Sequence, residues 1–382
     1  MWKMNTQVKE FHYEQSKIKQ LIKDNLVLII AFFAALITSF IVPPDREYLD
    51  YFDVKTLSCL FCVLAVVCAL RNVRFFYTLA KAIVRKFRNA KIAILALVYI
   101  TFIGSMLIAN DMALLTFLPL GYFILHTTKK EKYLAFAYIM QNIAANLGGM
   151  LTPFGNPQNL YLYSKFNIPD SEFVRIMFPP FVVAIVLITA CCLIFVKNEP
   201  LEIEEKAATL PWGRVAIYLV LFAIAILMVF RFMPFQIGLI IVPLALLFLD
   251  RQALAQVDYG LLFTFVFFFI FAGNMGRIEV VREFFSYLLG INTLVFSALS
   301  CQFISNVPSA ILLSQFTDNY RELLLGVNIG GAGTLIASLA SLITFKEYTK
   351  QDPKHTLGYM VKFTIFNFAF LIILTVFCYI FG

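Results

Sequence analysis

Long uncharged runs separated by short charged segments make up the hydrophobic pattern of this chain. Most runs come close to the roughly 20 apolar residues that an α-helix needs to cross a bilayer. The pattern therefore predicts an all-α polytopic membrane protein. The runs that fit a plain span cover residues 26–44, 56–70, 176–196, 215–230, 232–249, 259–276 and 363–382.

Two further runs, 92–128 and 284–317, fit neither one span nor two. They exceed one span of about 20 residues and leave too little chain for two spans and a loop. Each carries polar residues near its middle, at 108–111 and 304–308. We predict that each run is a re-entrant hairpin whose tip lies at mid-membrane, covered by protein or by a wet cavity. Two full spans joined by an exposed tight turn are the alternative.

A phrase of small and polar residues occurs twice, in the runs 134–164 and 323–345. The first copy starts at Asn146 and the second at Asn328, an offset of 182 residues that also aligns their Gly-Gly pairs. Each copy predicts a broken transmembrane helix, because Gly, Pro and amide side chains are poor helix formers. A broken helix in each half of a membrane protein is the best sequence pointer to a transport site. Gly-rich packing seams between helices are the alternative.

The basic residues predict the topology. With both hairpins re-entrant the chain crosses the membrane nine times, and a cytoplasmic N-terminus places 23 of the 31 Lys and Arg residues inside, as the positive-inside rule expects. The C-terminus is then external, and the segments 45–196 and 235–382 run in opposite directions as inverted-topology repeats. The predicted division is a cytoplasmic tail at 1–25, a first half at 26–196 with hairpin 92–128, a cytoplasmic linker at 197–214, and a second half at 215–382 with hairpin 284–317.

Two short charged segments lie outside the predicted spans. The segment 71–91 is basic and amphipathic, which predicts a helix lying along the membrane interface. Residues 277–283 predict a short charged helix with a solvated face.

Composition limits the function. Hydrophobic residues make up 61% of the 382 residues and charged residues 14%, which excludes a soluble protein. The net charge of +8 follows the topology, so no nucleic-acid partner is expected. The seven cysteines lie in apolar segments and the three histidines are scattered, so we expect no metal centre and no cofactor beyond a coupling ion. No soluble stretch is long enough for an enzyme domain, and no nucleophile–base pair is visible, so an enzyme is not expected.

The hairpin tips and broken helices carry the candidate chemistry. The ends of half-helices expose N–H groups that attract anions and carbonyl groups that coordinate cations. The Asn, Ser and Thr side chains of these segments add neutral oxygen atoms. The combination suits a small anion together with Na⁺.

These segments resemble a known family. Residues 104–119, 146–160, 303–308 and 328–342 look like the ion transporter superfamily, which includes arsenite permeases, NhaD-type sodium–proton antiporters, citrate carriers and divalent anion–sodium symporters. The resemblance covers nearly the whole chain, and its pattern is nearest to the short bacterial anion permeases of the YbiR type. It implies a transporter of the bacterial inner membrane with two inverted repeats, assembled as a homodimer.

The resemblance also implies site residues. In the sodium-coupled dicarboxylate members each tip bears Ser-Asn-Thr, whereas here Ala109 and Asp111 replace the first Ser and Thr, and Val307-Pro308 follow the second Asn. The dicarboxylate signature is therefore incomplete. The implied substrate-binding residues are Asn110, Asp111, Asn156, Asn306, Val307 and Ser338. The implied ion-binding residues are Ser105, Ala109, Asn110, Asp111, Gly155, Cys301, Ile304, Ser305, Asn306 and Ala337.

Asp111 is the one formal charge in the first hairpin run. Charged residues inside a membrane are costly and usually functional. The carboxylate can hold Na⁺, exchange a proton, or cap the half-helix that starts at Met112. The sequence leaves these three roles open.

The sequence thus predicts a secondary active transporter, a permease of a small anion driven by Na⁺ or H⁺, with alternating access between the repeats. An arsenite or metalloid permease and a sodium–proton antiporter are the alternatives. A channel fits less well, because no continuous charged lining is visible. The sequence specifies neither the substrate nor the choice between symport and antiport.

Overall fold

The computed structural model describes residues 26–201 and 210–381. These residues form 18 α-helices, four short 3₁₀ turns and an isolated β-bridge between Asn89 and Pro200. Seven of the helices are long and apolar enough to cross a membrane, which confirms the predicted all-α membrane class. The predicted tail at 1–25 and most of the predicted linker lie outside the described residues.

The first half of the chain contains eight helices. They are α1 (Leu26–Ile41), α2 (Val54–Asn72), α3 (Phe75–Val84), α4 (Ala90–Ile108), α5 (Asn110–Thr127), α6 (Leu134–Gly148), α7 (Pro157–Lys165) and α8 (Asp170–Phe195). Helices α4 and α5 form the first hairpin, and the gap between α6 and α7 is the break predicted from the first repeated phrase.

The second half contains ten helices. They are α9 (Trp212–Val229), α10 (Phe235–Leu249), α11 (Arg251–Ala255), α12 (Tyr259–Arg277), α13 (Glu279–Ile291), α14 (Thr293–Ile304), α15 (Asn306–Leu313), α16 (Tyr320–Ile329), α17 (Leu339–Gln351) and α18 (Thr356–Phe381). Helices α14 and α15 form the second hairpin, and the gap between α16 and α17 is the second predicted break.

The same capping signal starts one long helix in each half. The side chain of Asp53 accepts a hydrogen bond from the Thr56 amide at 2.9 Å, at the start of α2. Asp258 does the same for the Leu261 amide at 2.8 Å, at the start of α12. Such a side chain satisfies an amide that the first turn of a helix leaves without a partner.

The two halves interlock. Helix α1 packs against α12 of the other half, and α10 packs against α2. At the first contact, Asn274 donates a hydrogen bond to the Thr38 hydroxyl at 3.2 Å. At the second, the Cys62 thiol lies 3.8 Å from the Gly238 carbonyl oxygen. Each half therefore packs one of its helices, α1 or α10, against a long helix of the other half.

The second hairpin begins later than the sequence pattern indicates. Helix α13 extends the predicted charged helix through residues 284–291, which the pattern assigned to the hairpin run. Asn292 then separates α13 from α14 and caps α14. The uncharged run conceals this boundary, because only the first turns of α13 carry charge and its remaining exposed residues, such as Phe284 and Tyr287, are apolar.

The basic segment 71–91 is divided among three elements. Arg71 lies in the last turn of α2, which ends at Asn72. Arg74, with a positive φ of 55°, then separates α2 from α3, which has an apolar face. Asn89 then caps α4 through its side chain. The predicted amphipathic helix is therefore present, but it is confined to Phe75–Val84.

The start of the linker holds the base of the first hairpin. The Ala90 amide donates to the Glu199 carbonyl at 2.8 Å. The Glu199 carboxylate pairs with Lys130 at 2.6 Å and with Lys132 at 2.5 Å. These two ammonium groups lower the pKa of Glu199 to about 2. Both ends of the hairpin thus meet at one acidic residue.

Candidate functional site

Each hairpin turns at one residue with an unusual backbone conformation. Ala109 has φ 67° and ψ 153° between α4 and α5. Ser305 has φ 73° and ψ 158° between α14 and α15. This conformation is almost reserved for glycine, and a residue with a side chain adopts it at a cost on the order of 1–3 kcal/mol. The two tips therefore share one strained geometry that the surrounding structure enforces.

The first tip is fastened to the first break by two hydrogen bonds. The backbone N–H of Asn110 donates to the Gly155 carbonyl at 3.2 Å. The Thr152 hydroxyl donates to the Met106 carbonyl at 2.7 Å. Both carbonyl groups lie where a helix is interrupted, and a continuous helix would have supplied their hydrogen-bond donors. The hairpin and the break therefore satisfy each other's backbone groups.

The second tip repeats this arrangement. The backbone N–H of Asn306 donates to the Ala337 carbonyl at 2.9 Å, and the Thr334 hydroxyl donates to the backbone carbonyl of Gln302 at 3.0 Å. The break residues are related to those of the first half by the offset of 182 (155 to 337, 152 to 334). The hairpin residues are related by an offset of 196 (110 to 306, 106 to 302). Two equivalent tip-and-break units follow.

The two units also contact each other reciprocally. The Ser338 hydroxyl donates to the Asn146 side chain at 2.8 Å, and the Asn156 side chain donates to that of Asn328 at 3.2 Å. These four residues are buried. The Asn110 side chain also reaches Asn146, at 3.3 Å. The Asn that opens each phrase therefore contacts the break of the opposite half.

The glycine pairs of the repeated phrases permit close packing behind the tips. A Cβ atom added at Gly148 would lie 2.6 Å from the Ser105 hydroxyl, and one added at Gly330 would lie 2.8 Å from the Cys301 sulfur. Either distance is too short for a real contact. The pairs thus serve as packing seams as well as parts of broken helices.

Both tips line one cavity of about 350 Å³. Its polar part contains Asn110, Asp111, Ser305, Asn306 and Ser338. Its remaining wall is largely apolar, with several phenylalanines from α12 and α14 and residues from α1. A mostly apolar cleft of this size with a few convergent polar groups is typical of a small-molecule site.

Two carboxylates line the cavity, Asp111 and Asp258. Asp258 was not selected as a site residue from the sequence; the Asp that precedes each of two long spans, Asp53 and Asp258, is the signal that could have drawn attention to it. The Asp111 Oδ1 atom is buried and has no hydrogen-bond partner among the described residues. Helix α5 begins at Asn110, whose side chain accepts from the Asp111 amide at 2.9 Å, and the residue before it, Ala109, forms no side-chain cap. Asp111 lies in the first turn of α5, at the positive end of the helix dipole, and its Oδ1 atom remains without a partner among the described residues.

The predicted site residues separate into two groups. Those that line the cavity are Asn110, Asp111, Ile304, Ser305, Asn306, Val307 and Ser338. Those that lie behind it, in the tip-and-break units, are Ser105, Ala109, Gly155, Asn156, Cys301 and Ala337.

In the second group, the Asn156 Oδ1 atom is buried without a partner among the described residues, whereas the other polar side-chain atoms have partners. The Ser105 hydroxyl donates to the Phe102 carbonyl at 2.8 Å, and the Cys301 thiol to the Ser297 carbonyl at 3.2 Å. Asn156 belongs to the contact between the halves described above. Gly155 and Ala337 offer the backbone carbonyls that receive the tips.

An all-helical membrane architecture with one cavity shared by two hairpin tips defines a membrane transport protein. The chain belongs to the CitMHS family, described as citrate transporters, whose family model matches residues 20–319.

Two relatives agree with this assignment. The chain is 33% identical over 293 residues to the uncharacterized transporter MJ0456 of Methanocaldococcus jannaschii, covering 76% of this chain and 80% of the relative. It is 28% identical over 290 residues to the inner membrane protein YbiR of Escherichia coli K12, covering 71% and 74%. The resemblance drawn from the sequence is confirmed, and so is the prediction of a transporter rather than an enzyme.

Proposed function

We propose that this protein is a secondary active transporter that moves a small anion by alternating access. The observation that carries the proposal is the cavity lined by both Asn110 and Asn306. The backbone N–H of each residue is hydrogen-bonded to the break of its own half. A site between two equivalent units can be exposed to either side when one unit moves relative to the other.

The proposed substrate is a small carboxylate anion. Helices α5 and α15 begin at the two tips, so their positive N-terminal ends meet at the cavity. The amide side chains of Asn110 and Asn306 add donors without adding charge. Citrate is the first substrate to test, because the family is described as citrate transporters.

The proposed coupling ion is Na⁺ or H⁺, held by Asp111. A carboxylate beside an anion is repulsive unless a cation or a proton neutralises it. The Asp111 Oδ1 atom, buried and without a partner among the described residues, is suited to receive either. Binding of the anion would then require that Na⁺ or H⁺ is already bound at Asp111.

A sodium–proton antiporter is the second candidate. Two carboxylates line the cavity, and no Lys or Arg is among the described residues that line it. That charge balance favours a cation as the main substrate. Counterflow measurements with and without an anion distinguish the two candidates.

We further propose an inverted-repeat topology in which both hairpins are re-entrant, the N-terminus is cytoplasmic and the C-terminus is external. The two equivalent tip-and-break units support it, as does the distribution of basic residues in the sequence. The relative YbiR is named an inner membrane protein, so we propose the bacterial cytoplasmic membrane as the location. A homodimer is proposed from the family resemblance alone.

The test is uptake of radiolabelled citrate into proteoliposomes under a Na⁺ or a pH gradient. We expect Asn110→Ala and Asn306→Ala each to lower uptake at least about tenfold, because each removes a substrate donor worth about 1.5 kcal/mol or more. Asn72→Ala, which removes a surface Asn bonded to Asp250, is the control and should leave uptake unchanged. Normal uptake by both tip variants would contradict the proposed site. Cation exchange without citrate uptake would favour the antiporter.

A further inference from the structure

A second cavity, of about 370 Å³, lies away from the one shared by the hairpin tips. It is formed by the end of α2, the short helix α3 and the middle of α5. Two arginines, Arg71 and Arg74, line it together with Tyr77 and with an apolar wall from α5. We call it the arginine pocket.

The positive charge of the arginine pocket is not neutralised within the described part of the chain. Among the described residues, no carboxylate lines the pocket. The Arg71 guanidinium has only uncharged partners, the Met112 sulfur at 3.8 Å and the Gln256 side-chain oxygen at 3.4 Å. Arg74 forms no ion pair with any residue that the structure describes.

The second half provides a contrast. Helix α12 corresponds to α2, and each carries an arginine in its last turn, Arg277 and Arg71. That guanidinium lies 2.7 Å from the Asp45 carboxylate and 3.4 Å from that of Glu47. The chain thus neutralises the arginine at the end of one long helix and leaves the one at the end of the other without an acidic partner. An external anion would provide the missing partner of Arg71.

The surroundings of the arginine pocket match the border of a bilayer. Leu79 on α3 and Leu115 on α5 are 49% and 42% exposed, as expected for side chains that face lipid. The segment that includes α3 also carries Lys81, Arg85, Lys86 and Arg88. Short helices with apolar and basic faces lie in the interface between headgroups and acyl chains.

We propose that the arginine pocket binds the phosphate of an anionic phospholipid headgroup. Two guanidinium groups present the planar donor pairs that phosphate accepts in bidentate fashion. The proposed topology, on which this inference rests, places the pocket on the cytoplasmic side, where basic pockets between membrane helices are suited to anionic headgroups. The exposed leucines beside the pocket would then contact the acyl chains. Free phosphate shares the headgroup's chemistry but lacks these chains.

The experiment measures lipid binding to the purified full chain in detergent by native mass spectrometry, together with the thermal shift. We expect phosphatidylglycerol to bind and to raise the melting temperature, and phosphatidylcholine to do neither. Arg74→Gln should weaken phosphatidylglycerol binding about fivefold and Arg71→Gln/Arg74→Gln about 25-fold, because each arginine near an anionic surface contributes comparably. Arg74→Lys should retain most of the binding.

Arg88→Gln is the matched control, since it removes one charge from the same basic segment outside the pocket, and it should bind as the wild type does. Arg74→Gln also guards against misfolding, because the Arg74 side chain has no ion pair to lose among the described residues. Equal phosphatidylglycerol binding by wild type and Arg74→Gln would overturn the proposal. Stabilisation by inorganic phosphate but not by phosphatidylglycerol would overturn the assignment to lipid.

Discussion

At the scale of single residues, the site depends on atoms whose ordinary requirements are not met. Ala109 and Ser305 hold a backbone conformation suited to glycine, and the Asp111 Oδ1 atom is buried without a described partner. Such departures from local rules persist where the surrounding structure enforces them and are concentrated at functional sites. Each of them can be relieved by one substitution.

Replacing Ala109 by glycine should stabilise the protein by about 1 kcal/mol, because glycine adopts the conformation of the tip without strain. Ala113→Gly, one turn further along α5, is the control and should destabilise by about 1 kcal/mol, since glycine is a poor residue in the middle of a helix. Thermal unfolding in detergent compares the two variants. Equal destabilisation by both would show that the tip is not strained.

Asp111→Asn keeps the size of the side chain and removes its charge and its titration. If Asp111 holds the coupling ion, we expect the variant to lose at least about tenfold of its ion-driven uptake, with an altered dependence on Na⁺ or on pH. The control is Asp53→Asn, because Asn caps a helix as well as Asp does and Asp53 lies outside the cavity. Uptake that keeps its wild-type dependence on Na⁺ and pH in Asp111→Asn would exclude a coupling role.

At the scale of helices and hairpins, much of the architecture is readable from hydrophobic runs and the rest is not. The breaks at 149–156 and 330–338 and the tips near 109 and 305 follow from polar and small residues inside apolar runs. The boundary between α13 and α14 does not, because an amphipathic helix whose exposed face is apolar looks like part of a span. The bonds that fasten the tips depend on backbone carbonyls, which any residue type provides, so no sequence pattern reveals them.

The bonds from Thr152 and Thr334 allow a test at this scale. Thr152→Val and Thr334→Val each remove a hydroxyl that joins a break to its hairpin. We expect each to cost about 1 kcal/mol of stability and to lower uptake to a similar extent, because the two units are equivalent. Thr116→Val is the control, as its hydroxyl bonds only within α5, to the Met112 carbonyl. A loss of uptake in one variant but not in the other would show that only one unit forms the site.

At the scale of the whole molecule, the sequence predicts two repeated halves. In the structure these halves pack directly against each other. The two tip-and-break units contact each other where Asn146 meets Ser338 and Asn328 meets Asn156. The offset of 182 pairs these residues by type, but it does not tell which copy contacts which, since reciprocal contact between halves is a tertiary property. Asp258 was not selected as a site residue because its position at the cavity also depends on tertiary packing between the halves.

The proposed orientation of the halves is testable with reporter fusions. Alkaline phosphatase fused after residue 381 should be active, because the enzyme folds only outside the cytoplasm, and green fluorescent protein fused before residue 1 should be fluorescent. A fluorescent insertion in the linker at 202–209 should behave like the N-terminal fusion. Termini on the same side of the membrane would exclude nine crossings and therefore opposite orientations of the halves.

The packing of α1 and α10 against long helices of the opposite half has a consequence for biosynthesis. Helix α1 leaves the ribosome long before α12, its packing partner, and α2 likewise precedes α10. During that interval the Thr38 hydroxyl and the packing face of α2 lack the Asn274 and α10 groups that they contact in the finished protein. Until the second half is synthesised, the first half is therefore in the membrane with these packing surfaces uncovered. A chain truncated at the linker would keep those surfaces uncovered and become a substrate for membrane quality-control proteases.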